Sequence, residues 1–208
     1  MEGPVARRAR RPPHGRRGRG VRRAAPARAP VIGSIGRLDA IKAYDVMIEA
    51  FATLRAAWKE EPKPVLVLVG DGPEGGRLAA LIERHGLRDA ARLTGWRKDV
   101  DRLYDLFDLF TLSSWSEGTS LGLLEAMSSG VCPIVTAVGG SPAVLGEELR
   151  HRLVGPGDAA ALAAAWRGAL CHADQRRTDG ATARARVQQA FGLRTMVAAY
   201  ERIYTGED

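Results

Sequence analysis

From Val31 onward, short apolar runs alternate with amphipathic stretches of helical period, and this alternation restricts the fold more than any other feature of the chain. The runs "VIGSIG", "PVLVLVG", "ARLTG", "LFTLSS", "CPIVTA" and "HRLV" predict strands. Between the first two, "YDVMIEAFATLRAAW" places Val46, Met47, Ala50, Phe51 and Leu54 on one helical face. "GGRLAALIERHG" and "DVDRLYDLF" predict further helices, another begins near Leu121, "VGGSP" reads as a turn, and helices follow "HRLV" to the end. Strands joined through helices can pair in parallel, so the expected fold is α/β, an open, mostly parallel, doubly wound sheet with C-terminal helices. Ligands of such sheets bind at the carboxyl ends of the strands.

The 208 residues, 45% hydrophobic, suffice for one core. A formal charge of +7 would suggest a polyanionic partner, but ten arginines and one acid, Glu2, fall in residues 1–30. That stretch carries about +9 and leaves the remainder near −2, so the folded part is not basic. "MEGPVARRARRPPHGRRGRGVRRAAPARAP" lacks aromatic side chains and mixes arginine with proline and glycine, which predicts a disordered leader at 1–30 and a folded domain at 31–208. Such an arm without stacking aromatics does not indicate a nucleic-acid partner. Cys132 and Cys171 are too few for a disulfide framework or a zinc site, and no apolar run reaches the roughly 18–20 residues of a membrane span. The expected location is the cytoplasm, either free or peripheral at the inner membrane face.

Glycine, charge and hydroxyl collect in the loops that follow strands: Gly36-Arg37, Gly70-Asp71-Gly72-Pro73, Gly95-Trp96-Arg97 and Glu117-Gly118-Thr119-Ser120. Arg37 and Lys42, in "GRLDAIK", are two cations over one cleft and suit a diphosphate. Thr119 or Ser120 can cap a helix starting near Leu121, whose free amides favour an anion. Glu125 has no capping role, and its neighbours Leu123, Leu124, Ala126 and Met127 predict a partly buried carboxylate that needs partners, for which ligand hydroxyls would serve. Asp99-Val100-Asp101 has the form of a metal-binding aspartate pair, but Asp99 is well placed as a helix N-cap, and no metal is expected.

"GRLDAIK", "VLVLVGDGP", "LTGWRKDVDRLYDLFDLFTLSSWSEGTSLGLLEAMSSG" and "TAVGGSPAV" run in an order and spacing that resemble the C-terminal, nucleotide-sugar-binding domain of the retaining family 4 glycosyltransferases of GT-B fold. The resemblance covers about Val31 to Tyr204 and implies one Rossmann-like half of that fold. It implies that Arg37 and Lys42 hold the donor diphosphate and stabilise its departure, that Glu117 contacts the transferred sugar, and that Glu125 binds the ribose. It further implies that Gly36, Gly118, Thr119, Ser120 and Leu121 approach the donor, and that Gly95, Trp96 and Arg97 lie along the base. The implied reaction transfers a sugar from a nucleotide diphosphate sugar to an acceptor saccharide, lipid or small molecule, with retention and without a metal or other cofactor. Ala43 stands where a glycine often follows the lysine, Cys132 where proline is frequent, and Ala143 where a glutamate is common.

Enzymes of this type close two wound domains around their substrates, so the resemblance implies an N-terminal partner domain that residues 1–30 cannot supply. The terminal "LRTMVAAYERIYTGED" is then expected to expose Met196, Val197, Tyr200 and Tyr204. Two other readings remain. A non-catalytic binding or regulatory module would either bind no donor, as a degenerate relative, or act only when mixed, as a nucleotide-sugar-binding subunit that borrows its other domain from a separate chain. An arginine-arm nucleic-acid binder would bind with strong salt dependence and lose binding without residues 1–30.

Overall fold

In the computed structural model of the chain, residues 28–206 are described. Among these residues are six strands: β1 (Val31–Ile35), β2 (Val65–Val69), β3 (Ala91–Leu93), β4 (Leu109–Leu112), β5 (Cys132–Thr136) and β6 (Leu153–Val154). Eight helices accompany them: α1 (Tyr44–Ala57), α2 (Gly75–Arg84), α3 (Val100–Tyr104), α4 (Leu121–Ser128), α5 (Ser141–Leu145), α6 (Ala159–Cys171), α7 (Ala173–Ala190) and α8 (Leu193–Thr205). The strands form one parallel sheet in the order β3-β2-β1-β4-β5-β6. Winding runs outward from β1 through β2 to β3, then restarts at β4 on the other side of β1. The carboxyl ends of β1 and β4 therefore diverge over the crevice where a wound sheet receives its ligand.

The inner strands are apolar on both faces because helices cover both. Leu66, Leu68, Leu109 and Ile134 meet Met47, Phe51, Leu78 and Trp166 from α1, α2 and α6. Val69, Phe110, Leu112 and Val135 meet Tyr104, Leu123, Met127 and Val144 from the opposite layer. Trp166 is fully buried, and its indole N–H donates to Thr111 Oγ1 at 3.1 Å, so burial leaves this donor satisfied.

Most of the expected disordered leader, residues 1–27, lies outside the described residues. Its last three residues are ordered instead. The Arg28 guanidinium reaches Asp108 at 3.0 Å, the Val65 amide donates to Pro30 O, and the Val31 amide donates to the Asp108 carboxylate. The expected "VGGSP" turn continues into α5, whose first turn carries Pro142, a residue compatible with a helix start because no amide hydrogen is needed there. The terminal segment does leave an apolar face open. Met196, Val197, Tyr200 and Tyr204 on α8 are 42–85% exposed, joined by Leu193 and Ile203.

Away from the crevice, α7 is held to the 3-10 turn Arg150–Arg152, just before β6, by Asp179. This buried carboxylate accepts from Arg152 Nε at 2.6 Å, Gln175 at 2.8 Å and the His151 ring at 3.0 Å. Burial alone would raise its pKa, but the bonds from His151, Gln175 and Arg152 outweigh burial and hold it below the ordinary carboxylate value. A lowered native pKa contributes stability above the unfolded value of about 3.9, and that contribution is lost as pH falls through the native value. Asp179→Asn is therefore expected to cost about 2 kcal/mol at pH 7. Urea unfolding should show the gap between variant and parent narrowing below about pH 4; a gap that is constant with pH would contradict the assignment.

Candidate functional site

The loops after β1, β2 and β3 are locked together backbone to backbone. Gly36 N donates to Val69 O at 2.9 Å, Leu38 N to Asp71 O at 3.0 Å, and Gly70 N to Gly95 O at 3.0 Å. Gly70 has φ of 140°, and a Cβ there would lie 1.9 Å from Gly36 O, so glycine is required. Between these loops is a cavity of about 350 Å³ lined by Gly36, Arg37, Asp71, Trp96, Arg97 and Val100, among others. The Arg37 side chain is 70% exposed, with a single weak partner among the described residues, Asp39 at 3.3 Å, and is free to turn toward a ligand. Arg97 grips both oxygens of Asp99, at 2.9 and 2.6 Å, and this hydrogen bonding is the main cause of a lowered Asp99 pKa. The expected capping role of Asp99 is thereby corrected. It occupies the N-cap position of α3 but makes no side-chain cap bond, because a charged guanidinium two residues away competes better than a backbone amide.

Lys42 is not among the residues that line this cavity with Arg37. It ends a short 3-10 turn, Ala40–Lys42, and Ala43 follows with φ of 47° and ψ of 44°. Ala43 is the one non-glycine residue at positive φ among the described residues, which explains in physical terms why glycine suits this position. The turn aims Lys42 Nζ at Glu117, whose Oε1 and Oε2 accept at 2.7 and 2.9 Å. Ser114 Oγ also donates to Glu117 Oε1, at 2.6 Å. The Glu117 side chain is only 6% exposed and that of Lys42 23%. One partner follows β1 and the other follows β4, so the ion pair spans the point where the winding reverses. Gly118 and Thr119, exposed, carry the chain on toward α4.

Ser120 caps α4, accepting from Leu123 N at 3.4 Å, as the sequence allowed. The expected burial of Glu125 is not found, for the residue is exposed. The apolar neighbours that suggested burial are adjacent in sequence but not on the helix surface. Leu123, Ala126 and Met127 form the buried stripe of α4, and at about 100° per residue Glu125 falls nearly opposite its centre. Its partner in the structure is a hydroxyl of the protein itself. Tyr104 donates to Glu125 Oε2 at 2.7 Å. Burial first, then this bond and the Glu125 charge, raise the Tyr104 pKa far above its ordinary value, so the phenol remains a donor. Glu125 opens onto a second cavity, of about 420 Å³, bordered by Tyr104, Leu121, Leu124, Ser128 and Phe191. Val100 borders both cavities, which makes them neighbours.

The structure thus groups Gly36, Arg37, Trp96 and Arg97 around one cavity, couples Lys42 to Glu117, and places Leu121 and Glu125 on the next cavity. Gly95 acts through its carbonyl, bonded to Gly70. Sequence reasoning missed Tyr104, Ser113 and Ser114. The hydroxyls of the last two are the only signal, and their partners are distant in sequence or unreadable without the fold. Among the described residues no group of three or more His, Cys, Asp or Glu side chains is arranged to hold a metal ion. No helix among them is long and apolar enough to cross a membrane.

Comparison with known proteins shows the family and the fold. The chain is 32% identical over 170 residues to N-acetyl-alpha-D-glucosaminyl L-malate synthase of Bacillus anthracis, covering 82% of this chain and 44% of that protein. It is 32% identical over 178 residues to 2-deoxystreptamine N-acetyl-D-glucosaminyltransferase of Streptomyces fradiae, covering 85% and 42%. The chain thus spans less than half the length of these curated relatives. Its fold matches that of Anabaena HepE in complex with UDP, with a TM-score of 0.77, 24% identity and coverage of 86% and 49%. It also matches the C-terminal domain of a glycosyl transferase group 1 family protein (LpcC) from Francisella tularensis, with a TM-score of 0.71, 22% identity and coverage of 79% and 87%. The family model described as glycosyl transferases group 1 matches residues 29–172, most of the chain, and the protein belongs to that family.

Proposed function

We propose that this chain is the donor-binding half of a retaining glycosyltransferase that uses a nucleotide diphosphate sugar, UDP-linked in the first instance, without a metal. The observation that carries this reading is the Lys42–Glu117 pair across the β1/β4 crevice, with cation-lined and carboxylate-lined cavities beside it. In the reaction the bond from the anomeric carbon to the diphosphate breaks and one to an acceptor oxygen forms. The diphosphate leaves with increased charge, and the acceptor proton passes to it or to solvent. Arg37 and Lys42 supply cations to the leaving group, which lowers the barrier to the extent that they bind it more strongly than the intact donor. Glu117 receives hydroxyls of the transferred sugar, and Glu125, oriented by Tyr104, receives those of the ribose.

UDP is the nucleotide to test first because HepE of the same fold is solved with it. Transfer itself is proposed to need a second wound domain that brings the acceptor, and the open apolar face of α8 supports a surface that such a domain would cover.

Calorimetric titration of the chain with UDP, GDP and ADP, with and without magnesium and at two salt concentrations, tests this reading. One nucleotide should bind independently of magnesium, and Arg37→Ala and Glu125→Ala should each weaken it about tenfold or more. A folded protein that binds none of the three would make the non-catalytic reading the better one. Binding that vanishes at high salt and is insensitive to either substitution would point instead to the arginine-rich N-terminus.

A further inference from the structure

Beyond the end of β4 the chain passes through Ser113 and Ser114, both buried. Buried hydroxyls need partners, and a strand end offers many carbonyls that would serve. The partners found are not arbitrary. Ser113 Oγ lies 2.9 Å from Lys42 O and 2.8 Å from Ala43 O, so it holds the left-handed turn that aims Lys42. Ser114 Oγ donates to Glu117 Oε1 at 2.6 Å, a length typical of a hydroxyl bound to a carboxylate. Ser114 is itself fixed, because its carbonyl accepts from Thr136 Oγ1 at 2.8 Å on the neighbouring strand.

The consequence is asymmetry in the Glu117 carboxylate. Each oxygen has room for about two donors. Oε1 already takes Lys42 and Ser114, whereas among the described residues Oε2 takes Lys42 alone. We propose that Ser114 is a positioning residue: by saturating Oε1 it fixes the rotation of the carboxylate and leaves Oε2 as the oxygen that accepts a hydroxyl of the transferred sugar, while Ser113 holds the Lys42 turn in register. This rests on the reading that Glu117 meets the sugar of the donor.

The test compares UDP with UDP-glucose, because only the second carries the group that Glu117 would meet. By calorimetry, Ser114→Ala should keep UDP affinity within about twofold and lose about tenfold for UDP-glucose, and Ser114→Thr, which retains the hydroxyl, should recover most of that loss. Equal loss for both ligands would mark Ser114 as merely structural, and no loss for either would also overturn the proposal. A second readout needs no nucleotide. The chain has four lysines, Lys42, Lys59, Lys63 and Lys98, so ammonium NMR of the free protein can isolate Lys42 as the signal altered by Glu117→Gln. In Ser114→Ala that signal should shift or exchange faster. If the parent bound neither nucleotide, the donor reading would fall while this signal still decided whether Ser114 positions the pair, and an unchanged signal would overturn the proposal.

Discussion

Lys42→Ala is expected to destabilise the fold by about 3 kcal/mol and to weaken nucleotide-sugar binding by about a hundredfold, two losses that a second substitution separates. Removing the ammonium leaves the Glu117 carboxylate, 6% exposed, with Ser114 as its remaining partner. A charge stranded in a shielded site costs far more than the intact pair contributes, because the pair had already offset most of the desolvation of both ions. The double variant Lys42→Ala/Glu117→Ala removes the stranded charge as well. It should recover most of the lost stability and none of the lost binding, since both proposed ligand contacts are gone. Urea unfolding and calorimetry on the parent, both single variants and the double variant complete the cycle. A single variant as stable as the parent would show that the pair is solvent-screened, and a double variant that binds the donor normally would remove both residues from the site.

What could be read from the sequence and what could not divides along locality. Strand and helix periods are local, and the six apolar runs all became strands in one parallel sheet. β6 kept only Leu153–Val154 of "HRLV", because Arg152 turns inward to Asp179 instead of extending the ladder. The cap at Ser120 was legible for the same reason, needing nothing farther than Leu123. The misplacements arise where chemistry depends on a partner or an angle that linear order hides. Glu125 sits among apolar letters but on the polar side of α4. Arg37 and Lys42 are near one another in sequence, yet the turn at Ala43 sends Lys42 to a carboxylate 75 residues away while Arg37 stays on the rim. Asp99 could have capped α3 had Arg97 been uncharged. Ser113 was invisible because the carbonyls it holds are about 70 residues distant, joined only once β1 and β4 pair.

The same dependence makes one backbone contact critical. Gly139 follows β5 with φ of 51°, and a Cβ there would lie 1.6 Å from Glu117 O, far inside any permitted contact. The neighbouring Gly140 donates its amide to Glu117 O at 3.2 Å, and its own Cβ would come within 2.6 Å of Gly118 O. The loop after β5 is therefore the floor on which the Glu117 loop rests, with no side chain between the two. Gly139→Val combines a β-branched residue at left-handed φ with a backbone collision, and neither can be relieved by a side-chain rotation. The Glu117 loop must move by more than an ångström, which breaks the bonds from Lys42 and Ser114 together. We expect a loss of about 3–5 kcal/mol in urea unfolding, in line with strain at a special backbone position added to a broken buried pair. We also expect loss of detectable UDP-glucose binding even at temperatures where the variant remains folded. Gly140→Ala should act in the same direction but less severely, because its φ is ordinary at −78° and its clash is smaller. If Gly139→Val retained the parent's affinity and an unaltered Lys42 ammonium signal, the loop after β5 would not hold Glu117 in place. The ion pair would then owe its geometry to β4 and the Ala43 turn alone.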